Sequence, residues 1–161
     1  MAHSAKEKEF RGQHKDGPKP IAAASVLLFR GSEVLLVKRT GGAMAGLWSA
    51  PGGHVDAGET AIAAASRELL EETGLTACTL EPLTTHLVGI NAAPDSPERT
   101  YEIAVFAGAA EPLAEPQAAG DAADARFISM ADLAALPTTP GLEALVEAAR
   151  RLVANPDAQQ P

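Results

Sequence analysis

The spacing of apolar residues changes several times along the 161-residue chain, and each change marks an element. Residues 21–29 form a nearly continuous apolar run, Gly31-Ser32 reads as a tight turn, and residues 33–38 supply the hairpin partner. Residues 41–46 are a loop of small side chains, and Pro51-Gly52-Gly53 is expected to break any regular structure. From 60 to 73 the period becomes helical, with Ile62, Ala65 and Leu69 at three- and four-residue spacing and Gly74 at the C-cap position. Residues 76–80, 84–90 and 100–107 read as three further strands, with loops at 91–99 and 109–124, and residues 125–129 as a last short strand. Ser129-Met130-Ala131-Asp132 resembles a capping box that opens a short helix. Residues 141–154 form an amphipathic helix with Leu142, Leu145, Val146, Ala149 and Leu152 on one face. Strands on both sides of a central helix, with a second helix at the end, predict an α/β fold in which a mixed sheet packs between helices.

Composition narrows the class. Apolar residues make up 46 % of the chain, but 34 of them are alanines, so one moderate core is expected and a single domain suffices. No apolar run approaches the roughly 18 residues that span a bilayer, and the N-terminal stretch has no apolar signal region. The lone Cys78 cannot form an internal disulfide, which makes a reducing, cytoplasmic setting the default expectation. Residues 1–19 read as a flexible charged arm, 20–153 as the domain, and 154–161 as a tail.

Charge is unevenly placed. The first 19 residues carry a net +2, leaving the remainder with 8 basic and 18 acidic residues. Such a body repels a phosphate backbone, so nucleic acid is not an expected partner, and neither is a membrane. An anionic substrate would need a cation between itself and this protein.

The carboxylates show where that cation could sit. On a helix, Glu68, Glu71 and Glu72 lie at i, i+3 and i+4 and project from one face, while Leu69 turns inward. Their mutual repulsion asks for relief. Arg67 has salt-bridge spacing to Glu71, and a hard divalent cation such as Mg²⁺ takes oxygen ligands and bridges to phosphates. Taken alone, three glutamates on a helix are more often a solvated face.

The wider spacing changes that balance. Gly53, five residues, Glu59, seven residues, then Arg67-Glu68-Leu69-Leu70-Glu71-Glu72-Thr73-Gly74-Leu75 resembles the Nudix box G-x5-E-x7-R-E-U-x-E-E-x-G-U at every position. Seven fixed positions coincide by chance on the order of once in 10⁹. The segments LLVKR, GLWSAPGGHVDAGET and ARFISMADLAALPTTPGL are also similar to this family, so the resemblance covers residues 20–153.

The resemblance implies a Nudix-type α/β/α sandwich and hydrolysis of a nucleoside diphosphate linked to another moiety, with Mg²⁺ as cofactor and Mn²⁺ as its alternative. By position, Glu68 and Glu72 would be the main metal ligands, Glu71 a ligand or the base that activates water, and the Gly52 carbonyl a further ligand. Arg67 and Glu59 would orient the carboxylates. Asp121, or Asp124 as second choice, would add an acid from the loop before the last strand. The leader GLWSAPGGHVDAGET and the ending LPTTPGL suggest members resembling bacterial ADP-ribose pyrophosphatases, which release AMP and ribose 5-phosphate. The proline that often marks that group has no counterpart at Ile90; Pro94 and Pro97 come later. The alternative enzyme is a (d)NTP pyrophosphohydrolase that clears the nucleotide pool. The alternative of another class is a non-catalytic nucleotide sensor, against which the intact box argues. Family members are often dimers, so a homodimer is compatible with the resemblance.

Candidate substrate contacts are Arg39, Trp48 and His54. Arg39 lies at the end of the strand nearest the phosphate loop, and with Lys38 forms the basic pair there. Trp48 could stack on a base, although packing against the sheet is the favoured reading of a lone tryptophan in this position. His54, directly after the box glycine, could touch substrate or support its loop. His86 reads as a packed or hydrogen-bonded histidine, and Cys78 is assigned no role.

Overall fold

A computed structural model describes residues 18–91 and 93–155. Most of the expected arm (1–17) and tail (156–161) lies outside the described residues. The elements run β1 (Ile21–Arg30), β2 (Glu33–Arg39), β3 (Trp48–Ser49), β4 (Gly52–His54), α1 (Ala61–Thr73), β5 (Glu81–Asn91), β6 (Glu98–Ala109), β7 (Ala122–Ile128), α2 (Met130–Leu133) and α3 (Leu142–Ala154).

Seven strands form one mixed sheet ordered β3-β2-β1-β6-β5, with β4 paired to β1 and β7 to β2. The β1–β6 pair is parallel and the remaining pairs are antiparallel. Alternation along β1 divides the core between two faces. Ala24, Val26 and Leu28 pack with Ala64, Ala65 and Leu69 of α1. Leu27 and Phe29 point the other way, into a cluster with Val146, Ala149 and Leu152 of α3. The expected α/β/α layering is what this alternation builds.

The starts of α1 and α2 and the end of α1 follow local signals. Thr60 caps α1 by accepting the Ala63 N–H, and Gly74 closes it at φ +72° with its own N–H donating to Leu70 O. Ser129 caps α2 through the Asp132 N–H. Ile62 is the exception to the apolar stripe: it faces outward, while Ala64 takes the inward position.

Three expectations are corrected. Residues 76–80 form a connection without strand pairing, and the following strand begins at Glu81. Residues 98 and 99, expected in a loop, open β6, which with β5 makes a long hairpin. Pro51-Gly52-Gly53 does not break regular structure, because Gly52, Gly53 and His54 pair antiparallel with Ser25, Ala24 and Ala23. Glycine is required there for space: a Cβ on Gly52 would overlap the Ala24 carbonyl oxygen.

Leu69 is fully buried between α1 and the sheet, one position from the carboxylates. Leu69→Ala is expected to cost about 2–5 kcal/mol of unfolding free energy, read by urea denaturation. A loss below 1 kcal/mol would contradict this packing.

Candidate active site

The glutamates of α1 emerge beside β4 because Gly53 presents no side chain to them. A Cβ at Gly53 would overlap the Glu68 carboxylate, so the box glycine is what lets that carboxylate lie against the strand.

Arg67 organises the group. Its Nε donates to Glu59 Oε1 at 2.9 Å and its Nη2 to Glu59 Oε2 at 3.0 Å, a bidentate pair. Nη2 also donates to the His54 carbonyl at 3.0 Å, which ties the helix to β4. Nη1 reaches Glu68 at 3.0 Å and Glu71 at 3.3 Å, and Asp56 lies 3.5 Å from Nη2. Glu59 in turn accepts the Asp56 N–H at 2.9 Å. The hydrogen bond from Arg67, with help from that N–H, holds the Glu59 carboxyl below the usual carboxylate range. The same carboxylates raise the Arg67 pKa, so the guanidinium is a permanent cation. Asp56 is the brace member that sequence reasoning missed; its acidity three residues before Glu59 was the available signal.

The three glutamates differ in surroundings. Glu71 is exposed, Glu68 is largely covered, and Glu72 is buried at 5 % exposure. Glu72 Oε2 is buried without a hydrogen-bond partner. Burial is the main force that pushes its carboxyl up to about 7, and the Glu68 charge adds to it. The Gly52 backbone N–H and the Arg39 charge oppose the shift, and Asp121 reinforces it. Glu68, Glu72, Gly52, Arg39 and Asp121 therefore share one neighbourhood, drawn from α1, β4, β2 and the segment before β7.

The other candidates fall at varying distances from that centre. Arg39 stands at the end of β2 with its Nε buried and unpartnered. Asp124 is turned away, pairing with Arg126 at 2.8 Å and accepting the Ala125 N–H. Trp48 is buried in the cluster on the α3 side, which leaves no open indole face for a base. The Trp48 backbone N–H donates to Pro137 O and its backbone carbonyl accepts the Thr139 N–H, so GLWS and LPTTPGL dock on each other. His54 contributes its carbonyl to Arg67, while its exposed ring stacks on Tyr101 with centroids 5.9 Å apart. His86 is half-buried, and its Nδ1 lacks a partner.

Among the described residues, no three His, Cys, Asp or Glu side chains already converge as a metal cage. Arg67 Nη1 instead pairs with both Glu68 and Glu71. The side chains gathered there nonetheless suit a hard divalent cation: they are carboxylates, and they include a buried carboxylate oxygen with no hydrogen-bond partner.

Comparison with known proteins agrees with this arrangement. Residues 19–152 match the NUDIX domain, and the chain belongs to the Nudix family. An ADP-ribose pyrophosphatase of Methanocaldococcus jannaschii is 32% identical over 114 residues, 71% of this chain and 64% of that protein. An oxidized purine nucleoside triphosphate hydrolase of Danio rerio is 48% identical over 58 residues, 36% of this chain and 37% of that protein. The chain thus spans less than two thirds of the length of either relative. The crystal structure of a MutT NUDIX hydrolase from Burkholderia pseudomallei superposes with a TM-score of 0.70 at 26% identity, covering 81% of this chain and 98% of that one.

The raised Glu72 pKa fixes a sign. Between the ordinary value of 4.5 and about 7, folded Glu72 keeps a proton that the unfolded chain has lost. Its contribution to stability is complete below 4.5 and disappears as pH rises through 7. In metal-free buffer, wild type is expected to lose on the order of a few kcal/mol relative to Glu72→Gln between pH 5 and pH 8. Parallel stability curves for the two proteins would show that Glu72 titrates normally.

Proposed function

We propose that this protein hydrolyses the pyrophosphate bond of a nucleoside diphosphate linked to another moiety, ADP-ribose or a close analogue, with a divalent cation as cofactor. The observation that carries the reading is the buried Glu72 Oε2, which has no hydrogen-bond partner, on a carboxylate flanked by Gly52 and by Glu68, itself held by Arg67. The relationship to an ADP-ribose pyrophosphatase supports the substrate class.

In this reading Glu68, Glu72 and the Gly52 carbonyl would hold Mg²⁺, or Mn²⁺ in its place, and Asp121 would complete the acidic wall. A divalent cation held there would supply positive charge to the diphosphate and acidify the attacking water. Glu71, the most exposed of the three, is a further ligand or accepts the proton of the attacking water. Arg67 and Glu59 orient the carboxylates without touching substrate. Arg39, at the rim, faces the phosphates. His54 contributes by framing the loop, and the Tyr101 stack extends that frame. The domain spans residues 20–153, flanked by the charged arm and tail. Among the described residues, no helix is long and apolar enough to cross a membrane. We place the enzyme in the cytoplasm, acting on free nucleotides, as a monomer or homodimer.

Product analysis with ADP-ribose and Mg²⁺ tests the reading. AMP and ribose 5-phosphate are expected, abolished by chelation, with Glu72→Gln lowering kcat at least about 100-fold. Nucleoside monophosphate and pyrophosphate from a dNTP, with ADP-ribose untouched, would reassign the substrate to triphosphates. Binding of ADP-ribose without turnover would make the domain a sensor.

Gly53→Ala separates site from scaffold. The three atoms nearest the added Cβ all belong to the movable carboxylate end of Glu68, so the melting temperature is expected to stay within about 4 °C of wild type. Turnover should nevertheless fall at least about tenfold, because Glu68 is displaced. Unchanged turnover would remove Glu68 from the reacting centre.

A further inference from the structure

Asp121 reaches the carboxylate neighbourhood from a long connection, and the chain fixes that connection at three places. At its start, Arg30 Nη1 donates to the Ala114 carbonyl at 2.7 Å and pairs with Glu115 at 3.0 Å. Further along, the Gln117 N–H donates to Thr73 O at 2.9 Å and the Ala119 N–H to Glu72 O at 3.0 Å, satisfying carbonyls at the end of α1. The backbone two residues before Asp121 is therefore bonded to the backbone of Glu72 itself.

The third attachment is Thr40. The Asp121 carbonyl accepts both the Thr40 N–H at 3.2 Å and the Thr40 hydroxyl at 3.0 Å. This meeting depends on an irregularity in the β2–β7 ladder. Lys38 lies opposite Asp124, but Arg39 lies opposite Ala122, so one extra residue is accommodated in β7. In an uninterrupted register Thr40 would face Ala122. The shift brings Asp121 into reach of Thr40, and Gly120, at φ +57°, makes the reversal that precedes it.

We infer that Thr40 is a positioning residue for the cation site: its double hydrogen bond to the Asp121 backbone, made possible by the β7 bulge, aims that carboxylate at Glu72. The inference rests on the cation-site reading above and adds a residue outside the glycine-glutamate motif. Thr40 touches neither substrate nor cation. Its hydroxyl acts through Asp121, so a variant that keeps the hydroxyl should behave as wild type and one that only keeps the shape should not.

The test is Mn²⁺ affinity of the full chain without substrate, measured by electron paramagnetic resonance for wild type, Thr40→Val, Thr40→Ser and Asp121→Asn. Thr40→Val is expected to weaken Mn²⁺ binding about three- to tenfold, the effect of one hydrogen bond, and Thr40→Ser to restore it. Asp121→Asn should weaken it at least as much. Gly120→Ala, which strains the backbone before Asp121, should follow Thr40→Val in direction. If Asp121→Asn is weakened while Thr40→Val binds as wild type, Asp121 keeps its role and the inference about Thr40 is overturned. If Asp121→Asn also binds as wild type, Asp121 is no part of the cation site and the inference falls with it. Circular dichroism melting confirms that each variant is folded under the conditions compared.

Discussion

The guanidinium of Arg67 is the constraint on which the rest of the site depends. Four carboxylates and one backbone carbonyl lie within reach of it. Without a central cation, Asp56, Glu59, Glu68 and Glu71 would repel one another, and the loop from β4 into α1 would lack its tie to the helix. The bidentate pair with Glu59 matters most, because a planar fork fixes the orientation as well as the charge. Glu59 is the fixed anchor, and Glu68 and Glu71 are the arms left adjustable.

Glu72 stands outside that arrangement. It is the box glutamate with no bond to Arg67 among the described contacts, and it is also the most buried. A carboxylate in that position keeps its proton or finds a cation. The fold does not supply a full counter-ion: Arg39 opposes the shift only in part, while Glu68 and Asp121 push the other way. A site short of positive charge at its buried end and braced by a permanent cation at its exposed end has a direction. A hard cation brought in with an anionic diphosphate would answer both the charge deficit and the open oxygen. The scaffold serves this by placing glycine twice in β4, against β1 at Gly52 and against Glu68 at Gly53.

Much of this was legible in the chain, for physical reasons that differ by element. The α1 helix announced itself through the helical spacing of its apolar residues, its Gly74 stop and the inward Leu69, and the glutamate spacing placed the carboxylates on one side. The apolar run of β1 was legible as a strand and a sheet between helices was expected, while the division of its side chains between the two faces is seen in the packing. The short strands β3 and β4 were not legible. Their pairing comes from distant partners in β1, β2 and the Pro137–Thr139 stretch, and nothing local distinguishes Gly52-Gly53 in a strand from Gly52-Gly53 in a turn. Residues 76–80 had strand-like composition but no strand beside them to pair with. Equal spacing along the helix also hid the unequal burial of Glu71 and Glu72, which tertiary packing decides. Asp121 could be placed in its loop by resemblance, but its approach to Glu72 depends on a one-residue shift in the β2–β7 ladder that no local pattern records.

The central claim is that Glu72 is a desolvated carboxylate held for a divalent cation. A ¹³C NMR titration of the Glu72 carboxyl, run without and then with saturating Mg²⁺, addresses it most directly. The account predicts a midpoint near 7 in the free protein, moving well into the acid range when Mg²⁺ is added, because cation binding favours the ionised form. A midpoint in the ordinary carboxylate range, unmoved by Mg²⁺, would contradict it.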